Sequence, residues 1–167
     1  FFSKKKKIGL YVYGSVGTGK TFLLSLFVQY SKVGKKIHFN HLMNKIHDTI
    51  NSNQNKNKKI DLFIKELCKG IKILFIDELH IFNIVDALLI KKIFHTLEKN
   101  NIFVMTSSNF KPSDLYIDGL QRADFLPFIE YIKESFAVIG VASEKDYRRL
   151  TLNQSKTYFT PINKDTE

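Results

Sequence analysis

Cysteine occurs once in the 167 residues, proline three times and tryptophan not at all. The single thiol, Cys68, cannot close an internal disulfide and has no ligand-spaced Cys or His partner. A disulfide scaffold and a thiolate zinc site are therefore excluded, and a small core residue in a reducing, cytoplasmic setting is expected. No apolar run approaches the roughly 18 to 20 residues that cross a bilayer, and Lys4 to Lys7 are not followed by the apolar h-region of a signal peptide, so neither a spanning helix nor an export signal is expected. Arginine is scarce as well: Arg122, Arg148 and Arg149 are three of 26 basic residues. In a chain that uses lysine nearly everywhere, these positions are candidates for bidentate contact with phosphate or carboxylate.

The net charge of +10 attracts polyanions in general. Lysine is nevertheless abundant throughout, together with Asn, Ile and Phe, and a solvated surface accounts for Lys4 to Lys7 and for Lys56, Lys58 and Lys59. The hydrophobic content of 44% is enough for one core, so residues 1–167 read as one domain. The chain opens without methionine inside a basic run, which is expected of a piece of something longer.

Five β-branched or aromatic runs alternate with helical patterns: Ile8 to Tyr13, Lys36 to Phe39, Ile71 to Ile76, Ile102 to Met105 and Phe136 to Val141. This alternation predicts an α/β, three-layer fold around a five-stranded parallel sheet. The helix Lys20 to Tyr30 is apolar nearly all round and is expected to be buried. Val85, Leu89, Ile93 and Leu97 recur every four residues, with Ile90 and Phe94 beside them, and predict an amphipathic helix. Helices are also expected at Asn40 to Thr49 and Asp61 to Cys68, with the polar stretch Asn51 to Lys59 as the surface loop between them.

Gly14-Ser15-Val16-Gly17-Thr18-Gly19-Lys20-Thr21 fits the phosphate-loop pattern G-x-x-x-x-G-K-[ST], and it stands between an expected strand and an expected helix. Such a loop turns successive backbone N–H groups and a helix N-terminus toward phosphate. Lys20 is then expected to reach the β- and γ-phosphates of ATP, and the Thr21 hydroxyl to ligate Mg²⁺. The apolar run Ile73 to Ile76 ends in Asp77-Glu78. Ligands bind beyond the carboxyl ends of parallel strands, so Asp77 is expected at the magnesium ion and Glu78 at the water that attacks the γ-phosphate. A third strand end, Thr106-Ser107-Ser108-Asn109, places Asn109 as a candidate sensor of the γ-phosphate or the water; otherwise it merely turns the chain before Lys111-Pro112. The histidines His38, His41 and His47 do not match a known tight metal site.

Further residues carry a resemblance. Gly9-Leu10-Tyr11-Val12-Tyr13-Gly14, His38-Phe39, Met43, His47, Asp86-Ala87, Pro112, Asp114-Leu115-Tyr116, Gly119-Leu120-Gln121-Arg122, Phe125-Leu126-Pro127 and Asp146-Tyr147-Arg148 join the motifs above. From about Lys7 to Pro161 the chain resembles the AFG-one-like ATPase family, most specifically over Tyr116 to Ile129. The resemblance implies an AAA+-type core that binds and hydrolyses ATP with Mg²⁺ and acts on a protein client. That client would be the division ring in bacteria, or inner-membrane respiratory proteins in mitochondria. It also implies a C-terminal lid with a further arginine, which residues 1–167 do not reach. Two positions depart from the family: Asn83 stands where an acidic residue is usual, and Asn40 where a second histidine is. Arg122 is expected to act as an arginine finger on a neighbouring copy, with Arg148 as second choice; a salt bridge to Asp118 or Asp124 is the alternative. A helicase-loader-like ATPase acting on DNA and a non-hydrolysing switch are the competing functions. The loop Asn51 to Lys59 offers no aromatic residue for base stacking, which disfavours nucleic acid as partner.

Overall fold

A computed structural model describes residues 7–50 and 56–142. Five parallel strands, β1 (Gly9–Tyr13), β2 (Gly34–His38), β3 (Ile73–Asp77), β4 (Phe103–Ser108) and β5 (Phe136–Gly140), form one sheet in the order β2-β3-β4-β1-β5. The helices are α1 (Lys20–Ser31), α2 (Phe39–Ile50), α3 (Lys56–Leu67), α4 (Ile84–Lys99) and α5 (Arg122–Ser135). The α/β, three-layer architecture expected from the alternation is present. The register Tyr11↔Thr106 and Tyr11↔Val138 places β1 between β4 and β5, so the chain's first strand sits inside the sheet.

The two faces of the sheet are covered unequally. One face carries α2, α3, α4 and α5 over a large core that includes Tyr11, Leu74, Ile76, Phe94 and Phe128. The other carries α1, whose Leu24 and Val28 meet Val12, Phe75 and Met105. This corrects the expectation of a buried α1. Lys20, Leu24 and Val28 are buried, whereas Phe22 is 69% and Tyr30 80% exposed, and Leu23 and Phe27 are also exposed. A helix lying on a sheet can bury only the side that faces it, and among the described residues nothing covers α1's outer side.

Boundaries shift for physical reasons too. Strand β4 runs past Met105 to Ser108 because Val12 and Tyr13 of β1 continue the ladder opposite Ser107 and Ser108. Backbone pairing is indifferent to the polarity of those side chains. Helix α3 begins at Lys56, not Asp61, since lysine is a good helix former; positions 51–55 of the expected loop lie outside the described residues. In α4 the buried side is Ala87, Ile90, Ile93, Phe94 and Leu97, while Val85 is exposed, so the apolar stripe is rotated from the expected one. Asn83, the departure from the acidic family residue, caps this helix: its Oδ1 accepts from the Asp86 N–H at 2.8 Å. Cys68 is buried as expected, and burial pushes its thiol up to about 11.

Gly9 marks where β1 is pressed tightest. A Cβ there would lie 2.2 Å from the Phe136 ring and 2.6 Å from the Val104 carbonyl oxygen, which is backbone and cannot swing away. Gly9→Ala is expected to destabilise the domain by about 1–3 kcal/mol, read as a lower urea midpoint at unchanged slope.

Candidate functional site

The strand ends Tyr13, His38, Asp77 and Ser108 lie along one edge of the sheet, and the turn after β1 folds back over that edge. Gly17 and Gly19 have φ of 83° and 81°, a left-handed backbone that costs glycine little. Gly19 is also the N-cap of α1, so the helix's first N–H groups open toward the loop. The ammonium of Lys20, itself buried, donates to the carbonyls of Gly14 at 2.8 Å and Ser15 at 2.7 Å, and reaches Asn109 Oδ1 at 3.4 Å.

Asp77 has no exposure at all. Its Oδ1 accepts from Thr21 Oγ1 at 2.8 Å and from Ser107 Oγ at 2.5 Å. Oδ2 accepts no well-directed hydrogen bond, although the Lys36 ammonium lies 2.8 Å from it. Burial pushes this carboxyl up; the Lys36 ammonium and the Ser107 and Thr21 hydroxyls outweigh it and hold Asp77 below its ordinary value of 3.8. A lowered carboxyl stabilises the fold above the ordinary value and loses that contribution as pH falls through the lowered one. Asp77→Asn is therefore expected to flatten the drop in melting temperature below about pH 4 in chelator, relative to the parent.

Glu78 departs from the strand. Its φ of 57° is a left-handed conformation that a non-glycine residue adopts at a cost of order 1–3 kcal/mol. The bend is held by hydrogen bonds to β4: the Glu78 N–H donates to Ser107 Oγ at 3.0 Å and the Leu79 N–H to the Ser107 carbonyl at 2.8 Å. It turns the Glu78 side chain, 70% exposed, away from the buried Asp77 and toward an open cavity. That cavity measures about 850 Å³ and is lined by residues 16–22 of the loop and α1 and by Ser25, Glu78, Ser107, Ser108 and Asn109. Of the residues expected at the site, Val16, Gly17, Thr18, Gly19, Lys20, Thr21, Glu78 and Asn109 line it, and Gly14 and Asp77 stand behind it through Lys20 and Thr21.

Arg122 is apart from this group. As the first residue of α5, it donates from Nη2 to the Ser113 carbonyl at 2.7 Å and from Nη1 to the Leu115 carbonyl at 3.3 Å. The expected alternative, an ion pair with Asp118 or Asp124, is replaced by this grip on the turn after β4. Arg148 and the Asp146-Tyr147-Arg148 motif lie outside the described residues. Conversely, Lys36, His38 and Ser107 reach the site without having been assigned to it. His38 has its Nε2 3.8 Å from Asp77 and its Nδ1 3.9 Å from Glu78. Alternation along β2 puts Lys36 and His38 on one face, but only the pairing of β2 with β3 brings them to the carboxylates.

The residues fit a hydrated divalent cation beside phosphate. A hydroxyl and a buried carboxylate stand together, and one carboxylate oxygen lacks a well-directed partner. Among the described residues no group of three His, Cys, Asp or Glu side chains could hold a metal by itself, so phosphate and water would complete the shell.

A parallel sheet with a glycine-rich loop, a buried lysine and paired carboxylates at its carboxyl edge defines a P-loop NTPase fold of the AAA+ kind. Solved structures share it. The DnaI crystal structure superposes with a TM-score of 0.60 at 22% identity, over 87% of this chain and 76% of that one. Domain III of the Thermotoga maritima replication initiation protein DnaA gives 0.62 at 18% identity, over 89% and 60%. The chain belongs to the AFG1-like ATPase family, which it matches over residues 1–167. It is 34% identical over 160 residues to the Escherichia coli K12 cell division protein ZapE, covering 95% of this chain and 43% of ZapE. It is 37% identical over 164 residues to the uncharacterized protein C115.02c of Schizosaccharomyces pombe, covering 93% and 36%. It thus spans about two fifths of the length of these relatives. Among the described residues no helix is long and apolar enough to cross a membrane.

Proposed function

We propose that this chain is the ATP-binding and ATP-hydrolysing core of a protein that regulates or remodels protein clients. The observation that carries this reading is the convergence of Lys20, Thr21, Asp77, Glu78 and Asn109, from three strand ends, on one edge of the sheet. The loop's N–H groups and the start of α1 cradle the β-phosphate. Lys20 exchanges the Gly14 and Ser15 carbonyls for β- and γ-phosphate oxygens. Thr21 and Asp77 would hold Mg²⁺, which would supply positive charge to the phosphate oxygens. Glu78 takes a proton from the attacking water, and Asn109 orients that water or senses the γ-phosphate.

The client is proposed from the family. ZapE is named for cell division, which supports the division ring as partner in a bacterial host; inner-membrane proteins in a mitochondrial host are what the family resemblance implies. The whole protein is taken to assemble as a homo-oligomer, in the cytoplasm or the mitochondrial matrix and at the inner membrane's edge. A Glu78→Gln substitution in the full protein traps the ATP-bound state and should retain a client in a pull-down when ATP is present and release it in ADP. If nothing is retained and the protein instead binds DNA with strong salt dependence, the DNA-acting reading takes its place.

A further inference from the structure

A carboxylate without water contact needs a counter-charge, and for Asp77 that charge comes from the neighbouring strand. Lys36 stands opposite Phe75 in the β2–β3 register, with its Nζ over that ring, 5.4 Å from the ring centroid. Nζ ends 2.8 Å from Asp77 Oδ2 and donates to Ser25 Oγ of α1 at 3.1 Å. His38 Nε2 faces the same oxygen from 3.8 Å. The ammonium therefore lies against the carboxylate oxygen that lacks a well-directed hydrogen bond.

We propose that Lys36 is a tethered cation that neutralises Asp77 and makes divalent-cation binding conditional on nucleotide. The inference rests on Asp77 being the carboxylate that faces the divalent ion. An ammonium and a divalent ion of like charge repel when they approach one buried carboxylate. Among the described residues such an ion finds little besides Thr21 and Asp77, so a free cation gains few ligands and must compete with Lys36. Nucleotide phosphates add both ligands and negative charge and reverse that balance. Lys36, 32% exposed and carried on a flexible stem, can withdraw along Ser25 toward solvent.

Mn²⁺ titration of the full protein by electron paramagnetic resonance, with and without a non-hydrolysable ATP analogue, tests this. The parent should bind Mn²⁺ weakly without the analogue and roughly 5- to 150-fold more tightly with it. In Lys36→Met the binding without analogue should tighten by a factor in that range, and Mn²⁺ by itself should raise the melting temperature; Lys36→Arg should keep the parental pattern. Equal analogue-free affinity in Lys36→Met and the parent would overturn the proposal and leave a merely structural ion pair. A parent that binds Mn²⁺ no better with the analogue would overturn the assignment of Asp77 beneath it. Should Lys36→Met fold only with Mn²⁺, the ion is replacing the lysine, as proposed. Should it fold under neither condition, amine labelling of Lys36 in the parent decides. Labelling should rise with analogue plus Mn²⁺ over analogue plus chelator, and unchanged labelling would overturn the proposal.

Discussion

Lys20→Ala is expected to abolish ATP binding, while Glu78→Gln keeps binding and loses hydrolysis by about 10²- to 10⁴-fold. The two residues meet different charges. Lys20 is a buried ammonium held at the loop by the Gly14 and Ser15 carbonyls, so its exchange partner is the ground-state phosphate. Glu78 is turned out of the strand by a left-handed residue and bonded back through Ser107, which aims its carboxylate at the cavity and not at the core. Glutamine preserves its size and removes its basicity, so the effect falls on turnover rather than affinity. Titration with a fluorescent ATP analogue, beside phosphate release from the full protein, separates the two. Parental hydrolysis by Glu78→Gln would mean that another group activates the water, and His38 would be the next to test.

Arg122→Ala is expected to cut turnover by roughly 10³- to 10⁵-fold without a matching loss of ATP affinity, through an arginine finger acting on the neighbouring copy. The structure adds a condition to this proposal. The guanidinium grips the Ser113 and Leu115 carbonyls of its own chain with two different nitrogens, so it must let go of that turn to reach a neighbour. A lysine cannot hold both carbonyls or bridge two phosphoryl oxygens in the same planar way, and Arg122→Lys should already be damaging. Mixing Arg122→Ala subunits with Lys20→Ala subunits distinguishes the two roles. Recovered activity in the mixture means that one copy's arginine serves the other's site. If the mixture stays inactive and Arg122→Ala lowers the melting temperature, Arg122 only fastens the turn to α5.

The phosphate loop was legible because its chemistry is local. A phosphate cradle is built within eight consecutive positions such as Gly14 to Thr21, and few sequences outside that use combine glycine spacing with Lys20-Thr21. Asp77-Glu78 was legible for a related reason, since an apolar strand followed by two carboxylates shows both the buried ladder and its end. The contrast in their burial was not. Asp77 and Glu78 are adjacent letters, yet one is fully buried and the other faces solvent. That difference is made by the φ reversal at Glu78 and by Ser107, which sits 29 positions away from Glu78.

The sequence by itself determined the alternation of strands and helices, the phosphate loop and the polar strand ends, because each depends on residues within one turn or one strand of each other. Only the tertiary structure decided what stands beside them. Lys36 and Asp77 are 2.8 Å apart because β2 pairs with β3 in one particular register, and a slip of one residue would turn Lys36 to the opposite face. The exposure of Phe22, Leu23, Phe27 and Tyr30 was equally invisible in the letters. An apolar helix predicts burial only where two layers enclose it, and whether a second layer exists depends on how the whole chain is stacked.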